Sequence, residues 1–540
     1  MPYCWPSVPR PLVILIMLGP LMLSALLPAA RGQVAASNSG SPMVLRLSDE
    51  AGTTPPLLEP ALAPDPMILG MIFGGLVSLD AGLRVVPEGA DRWTVSADGT
   101  LYTFHIRPNL RMGDGSTVTA SDFAWSLNRA LTPQFATGPA WYYLNVIQGS
   151  ADARNKKVAW VRGIQAPRPD TLRITLARPS GMFLQQLAFP TSYVTPQALI
   201  QRWGDRWTDH AVGTGPFRLE SARRGSIVLI PNAYYWRGPL ALHELDITLT
   251  DAEGAYALYR TGKLDVMGAV AFPGARLPQA QAMKPDYHAQ DLLVTDYLAP
   301  NVKRPPFNNP KVRRAFAYAT DRRSLTRTTL GDRALAATGI LPPGLPGFDP
   351  SPHGQTFNPA LARTLLASAG YPGGRGLPPI TLALDGASGD DRRQAVALQQ
   401  MWQSVLGVTV RLSAVKAAPG AYTDALAAQP YQLAFNQWSA DYPDPQNFLS
   451  LQLQTGVTNN LGGYSNAEVD RLTARADTLP WSDPQRVKLY QQAEKIALDD
   501  VAWIVLDWQR SAILIRSTVH GLAVNGNGIM APDWTKVMVR

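Results

Sequence analysis

The one cysteine of this 540-residue chain, Cys4, lies ahead of an apolar stretch running from Leu12 to Leu27. Arg10 precedes that stretch, Gly19-Pro20 interrupts it, and small residues come after it at Pro28-Ala29-Ala30 and again at Val34-Ala35-Ala36. Positive charge, apolar run and small-residue site are the three parts of a secretory signal peptide, expected here over residues 1–32. A retained membrane anchor is the other reading. The length is borderline for a span, and the Gly-Pro break favours cleavage. A lipoprotein would carry its cysteine after the apolar run, and none stands there. The chain beyond the leader must therefore fold without thiol or disulfide, on the strength of its core. An exported, disulfide-free protein of this size fits the periplasm of a Gram-negative bacterium.

Composition narrows the class. With 46% hydrophobic and 17% charged residues, the chain is too apolar for disorder and long enough for two or three domains. Lys and Arg number 49 against 41 Asp and Glu, a formal +8, with no run of five like charges. So thin an excess describes a mildly basic surface, and no nucleic-acid partner is expected.

Local patterns alternate between strand and helix. A Ser/Asn/Gly linker near Ser37 to Ser41 leads into a first strand at Val44 to Leu47. Trp93 to Val95 and the alternating Tyr102, Phe104 and Ile106 flank Asp98-Gly99, a hairpin signal. Leu172, Ile174 and Leu176 alternate likewise, as do Leu245, Ile247 and Leu249. Asn309-Pro310 and Asn358-Pro359 supply caps and first-turn prolines to helices carrying Val312, Ala315 and Phe316, and Leu361, Leu365 and Leu366. Further helices are expected over Gln394 to Leu406 and Pro484 to Ala497, with a strand at Val408 to Leu412 and extended chain at Trp503 to Leu506. This interleaving predicts an α/β, mixed α+β architecture.

Catalytic and cofactor motifs are missing. The six histidines (105, 210, 243, 288, 353 and 520) are too far apart for a local metal motif, and His243-Glu244 lacks the second histidine of a zinc-protease helix. No Gly-x-Ser-x-Gly elbow occurs, and Gly262-Lys263 lacks the upstream glycine of a phosphate loop. No enzyme activity, metal or cofactor is expected.

One segment invites a ligand. Trp438-Ser439-Ala440-Asp441-Tyr442-Pro443-Asp444-Pro445 sets an aromatic face three residues before a carboxylate and stiffens the chain just beyond it with two prolines. It reads as a rigid loop suited to gripping an ammonium group. An ordinary aromatic beside a solvated turn is the plainer reading of the segment taken alone.

Eight segments in order resemble the peptide-binding family of ABC-importer solute receptors, the oligopeptide- and dipeptide-binding proteins of bacterial solute-binding family 5. They are Ile72 to Val77, Trp93 to Gly99, Tyr102 to Pro108, Asp114 to Phe123, Gly213 to Phe217, Pro231 to Trp236, Phe307 to Arg322, and Trp438 to Pro445. The resemblance implies a periplasmic-binding-protein-like class II fold, two lobes joined by a hinge plus a smaller extra domain, closing around a ligand. It places lobe I at 42–75, 210–298 and 511–540, the extra domain at 76–209 and lobe II at 299–510. It further implies a monomer that hands a short peptide, or a related amine-bearing solute, to the inner-membrane permease of an ABC importer. The alternative is a sensory or scaffolding protein that keeps the receptor fold and binds a membrane partner.

Residue by residue, Asp441 matches the acid that binds a peptide α-ammonium, with Ala440 beside it. Trp438 matches an aromatic lining a side-chain pocket, and Tyr297 a cleft tyrosine. The backbone near Asn436 matches the edge that pairs with an extended ligand. Departures fall at the carboxylate end. Phe435 stands where such receptors have an arginine, Asp391 where they have a histidine, Pro419 near an aromatic position, and Ala299 near a glutamate. Arg304 is the candidate carboxylate anchor.

Overall fold

The computed structural model describes residues 42–49, 55, 57–135, 138–268, 272–351, 355–385, 389–415, 422–427, 431–523, 526 and 533–540. The expected leader, the Ser37 to Ser41 linker and Pro419 lie outside the described residues. Strands and helices interleave along the chain as a mixed α/β fold.

The expected hairpin forms. Ala90–Val95 pairs antiparallel with Leu101–Ile106, placing Trp93 opposite Phe104, and Gly99 turns the chain at φ +71°, where a side chain would be strained. Thr171–Thr175 and Ile164–Arg168 complete a four-stranded antiparallel sheet. Period-two alternation sends Tyr102, Phe104, Leu172 and Ile174 into one core with Phe123 and Leu127 of helix Ala120–Ala130.

A second sheet has eleven strands among the described residues, one of which, Ala334–Ala336, pairs with Ile504–Ile515 off the main path. Its middle is the antiparallel pair Tyr287–Pro300 and Ile504–Ile515. Leu433–Ser439, Ile380–Asp385 and Val410–Val415 extend it on one side. Val266–Met267, Val44–Asp49, Glu244–Leu249, Ser226–Pro231 and Phe217–Arg223 extend it on the other. Leu298, Leu433 and Leu506 feed a core on one face, while Tyr297, Ala434 and Val505 feed another. Strands covered on both faces lose the polar alternation of a half-exposed strand, which is why Trp503 to Leu506 reads as a plain apolar run.

Helix starts obey their caps. Asn309 accepts from the Lys311 amide at 2.9 Å ahead of Pro310–Tyr318, and Asn358 from Leu361 at 3.0 Å ahead of Pro359–Ser368. Two expectations need correction. The helix expected from Gln394 begins at Gly389, because Asp390 and Asp391 suit the positive end of a helix dipole although they carry no apolar periodicity. Trp438 belongs to strand Leu433–Ser439, so the loop proper begins at Ala440.

Carboxyl groups lie buried around the central strands. Asp296 stands directly opposite Asp507, both at most 1% exposed, and Gln437 and Gln509 donate to Asp296 at 3.1 and 3.0 Å. Burial raises both groups, and the charge of Asp296 raises Asp507 further. Glu494 accepts from the amides of Ile340 and Leu341 at 2.6 and 3.0 Å, and burial pushes it up to about 7.

Glu494 yields a prediction whose sign is fixed. An unfolded glutamate titrates near 4.5, so between that pH and about 7 the folded chain holds a proton that the unfolded chain releases. Stability falls as pH rises through this window, by up to about 3 kcal/mol for this group. Unfolding midpoints measured across the window are expected to fall less steeply in Glu494→Gln, which keeps an acceptor for both amides. Equal slopes in the two proteins would refute this origin.

Candidate ligand-binding site

The segment after Trp438 is built from the inside. Pro443 and Pro445 bracket Asp444, whose carboxylate takes both ends of the Arg486 guanidinium at 2.6 Å each, with both side chains buried. The same carboxylate accepts from the Gln446 amide at 2.9 Å and starts helix Gln446–Leu453. Arg486 donates on to the Tyr490 hydroxyl at 3.2 Å, which donates to Asp477 at 2.5 Å. Ser450 donates to Asp477 at 2.8 Å, and burial holds that carboxyl up at about 6. Tyr442 turns the other way. It is fully buried in the core of the four-stranded sheet, its ring 5.7 Å from Tyr143 at 85°, and Gln186 donates to its hydroxyl at 3.4 Å.

Asp441 sits between these two anchors. Asn447 orients it: the amide oxygen accepts from Trp438 Nε1 at 2.7 Å and from the Asp441 amide at 3.3 Å, while Nδ2 donates to Asp441 Oδ2 at 3.3 Å. Tyr143 also hydrogen-bonds the carboxylate, and burial raises its pKa against these two donors. No ion pair compensates it among the described residues. Asp441 reaches a cavity of about 650 Å³ whose other walls include Met67, Gly70, Glu88, Arg107, Tyr193 and Trp236.

Of the other expected residues, Ala440 is buried, its amide donating to Leu293 at 2.9 Å. Asn436 donates to the Tyr297 hydroxyl at 2.8 Å, and Tyr297 is fully buried, stacked on Trp503 at 3.5 Å between ring centres. Trp438 is half-buried beside the core that holds Tyr297. Arg304 is exposed on the loop after Tyr287–Pro300, close enough to Tyr431 to act on its hydroxyl, and does not line the cavity. Asp391 is half-buried and pushed up to about 6 by burial and then by the charges of Asp296 and Asp385. Phe435 is buried in the core.

Sequence reasoning missed a cluster on the cavity wall. Trp236 Nε1 and Arg237 donate to the Glu88 carboxylate at 3.0 and 3.1 Å, and the Arg107 and Arg237 guanidiniums lie 3.7 and 4.4 Å from the Trp236 ring centre. Arg107 and Trp236 stand in two of the family-like segments, Tyr102 to Pro108 and Pro231 to Trp236. Nothing local indicated that they meet.

The Asp444–Arg486 pair holds the segment in place. Removing one partner strands the other charge in a dry core, a loss of about 3–5 kcal/mol. Asp444→Ala is therefore expected to lower the denaturant midpoint sharply, and Arg486→Met added to it to restore part of the loss. A single variant as stable as the parent would contradict this role.

The fold and sequence have relatives. The family model for bacterial extracellular solute-binding proteins, family 5 Middle, matches residues 84–460. The chain is 30% identical over 448 residues to the glutathione-binding protein GsiB of Salmonella typhimurium, covering 80% of this chain and 82% of that one. It is 29% identical over 474 residues to the probable deoxycholate-binding periplasmic protein YgiS of Escherichia coli, covering 84% and 85%. The structure of the Escherichia coli murein tripeptide binding protein MppA superposes with a TM-score of 0.77 at 26% identity, covering 93% of this chain and 99% of that one. The mixed α/β fold and these likenesses agree: the chain belongs to the bacterial extracellular solute-binding proteins of family 5.

Proposed function

We propose that the chain is the periplasmic receptor of an ABC importer, which captures a short peptide or related amine-bearing solute and delivers it to the membrane permease without chemistry of its own. The observation that carries this reading is Asp441, a carboxylate on a cavity wall with two neutral donors and no cation among the described residues. A ligand ammonium supplies the missing charge in a site where an ion pair is poorly screened. The backbone adds a second support. Strand Leu433–Ser439 pairs with Ile380–Asp385 only at Leu433 and Ala434, so its outer edge from Asn436 onward has no strand partner among the described residues. An extended ligand can add there as a strand, with Trp438 and Ala440 flanking it. In this reading 42–75, 210–298 and 511–540 form one lobe, 299–510 the other and 76–209 the extra domain, with Tyr297 at the end of the first lobe's 210–298 segment and Arg304 in the second.

Calorimetric titration with tripeptides tests the reading. Asp441→Ala is expected to cost about 2–5 kcal/mol of affinity, the usual cost of truncating one partner of a buried charge pair. N-acetylation of the ligand should cost the wild-type protein a similar amount. Affinity should also fall as pH drops through the raised pKa of Asp441, because ligand then competes with a proton. Unchanged affinity in Asp441→Ala would remove the assignment.

A further inference from the structure

The charged groups on the cavity wall nearly all have partners. Asp80 is held by Arg84 at 2.7 Å, Glu88 by Arg237 at 3.1 Å and Asp533 by Lys536 at 2.9 Å. Two groups remain over: Asp441, with no ion pair, and Arg107. Arg107 Nε donates to the backbone carbonyl of Glu88 at 3.1 Å, and the guanidinium lies over the Trp236 ring, 3.7 Å from its centre. Its terminal nitrogens make no hydrogen bond among the described residues. The charges of Glu88 and Asp91 act on it, but neither forms an ion pair with it. A guanidinium held through Nε and one face presents its two outer N–H groups as a fork, which matches a carboxylate.

We infer that Arg107 anchors a carboxylate of the ligand, so that the cavity selects solutes bearing both an ammonium for Asp441 and a carboxylate for Arg107. This rests on the receptor reading and deepens it. It also moves the carboxylate end from Arg304, which is exposed and off the cavity wall, to the wall where Arg107, just after Leu101–Ile106, meets Trp236. The loss of a basic residue at Phe435 is then no obstacle to binding a free acid. The plainer role for Arg107 is a structural clamp between Glu88 and Trp236, and the test must separate the two.

The test uses the full mature chain and two tripeptide mixtures of equal composition, one of free acids and one of C-terminal amides, with retained ligands read by native mass spectrometry. Calorimetry then gives affinities for one retained free acid, its amide and its N-acetyl derivative. The wild-type protein is expected to prefer the free acid over the amide by about tenfold or more. Arg107→Met, which keeps the stem on Trp236, should bring that ratio near one while the penalty for N-acetylation persists. Arg107→Lys should restore part of the preference. Amides retained only when they contain Asp or Glu would support the anchor with a side-chain carboxylate as its partner. An acid-to-amide ratio that survives in Arg107→Met overturns the inference, and so does equal retention of the two mixtures or retention of neither. If Asp441→Ala abolishes binding while Arg107→Met changes nothing, only the carboxylate anchor falls. If neither variant matters, the receptor reading of this cavity falls with it.

Discussion

The antiparallel pairing of Tyr287–Pro300 with Ile504–Ile515 carries the rest of the molecule. Strands beginning at Val44 join it through Val266–Met267, and the strand that ends beside Asp441 joins it through Leu433–Ser439. The ladder is uneven. Its register shifts between Asp291 and Thr295 and again between Asp296 and Tyr297. Such irregularities increase local twist and redirect side chains. Here the first shift sets Asp296 against Asp507, and after the second Tyr297 lies opposite Val505 and stacks on Trp503. Burial raises both carboxyls, which eases the repulsion that two full charges would exert inside the ladder.

Around the cavity the same physics works with the opposite sign. Asp444 is as dry as Asp507, yet it faces Arg486 in a bidentate pair. That pair, the two prolines and the seat of Tyr442 hold the loop from both sides, so Asp441 is oriented before any ligand arrives. Asn447 links Trp438 to Asp441 and adds a third restraint. In the proposed receptor reading, a carboxylate oriented in advance, with no ion pair among the described residues, gains the most from a ligand ammonium, because little ordering remains to be done on binding. Arg107 is prepared in the same manner, with Trp236 and a backbone carbonyl fixing its plane.

Much of the fold was legible in short-range signals. Asn309-Pro310 and Asn358-Pro359 started helices where a cap and a first-turn proline require them, and Asp98-Gly99 made the hairpin. The start of helix Gly389–Leu406 was not legible, since its acidic first turn has no apolar period. The candidate site was legible only in part. Asp441 was visible as an acid in a stiffened segment, whereas the Glu88, Arg107, Trp236 and Arg237 cluster joins residues about 150 positions apart through contacts that leave no local pattern.

The sequence by itself determined the strands and helices, a core that works without disulfides, the family segments and an acid in a stiffened segment. These arise from capping, period and turn chemistry, which act over a few residues. Only the tertiary structure decided which charges were matched and which were left over. Arg84, Arg237, Lys536 and Arg486 each resemble Arg107 in sequence, and Asp444 resembles Asp441. Pairing depends on distance and burial in three dimensions, and the cavity is walled by residues from Pro66 to Trp534 that meet only once the sheets have formed.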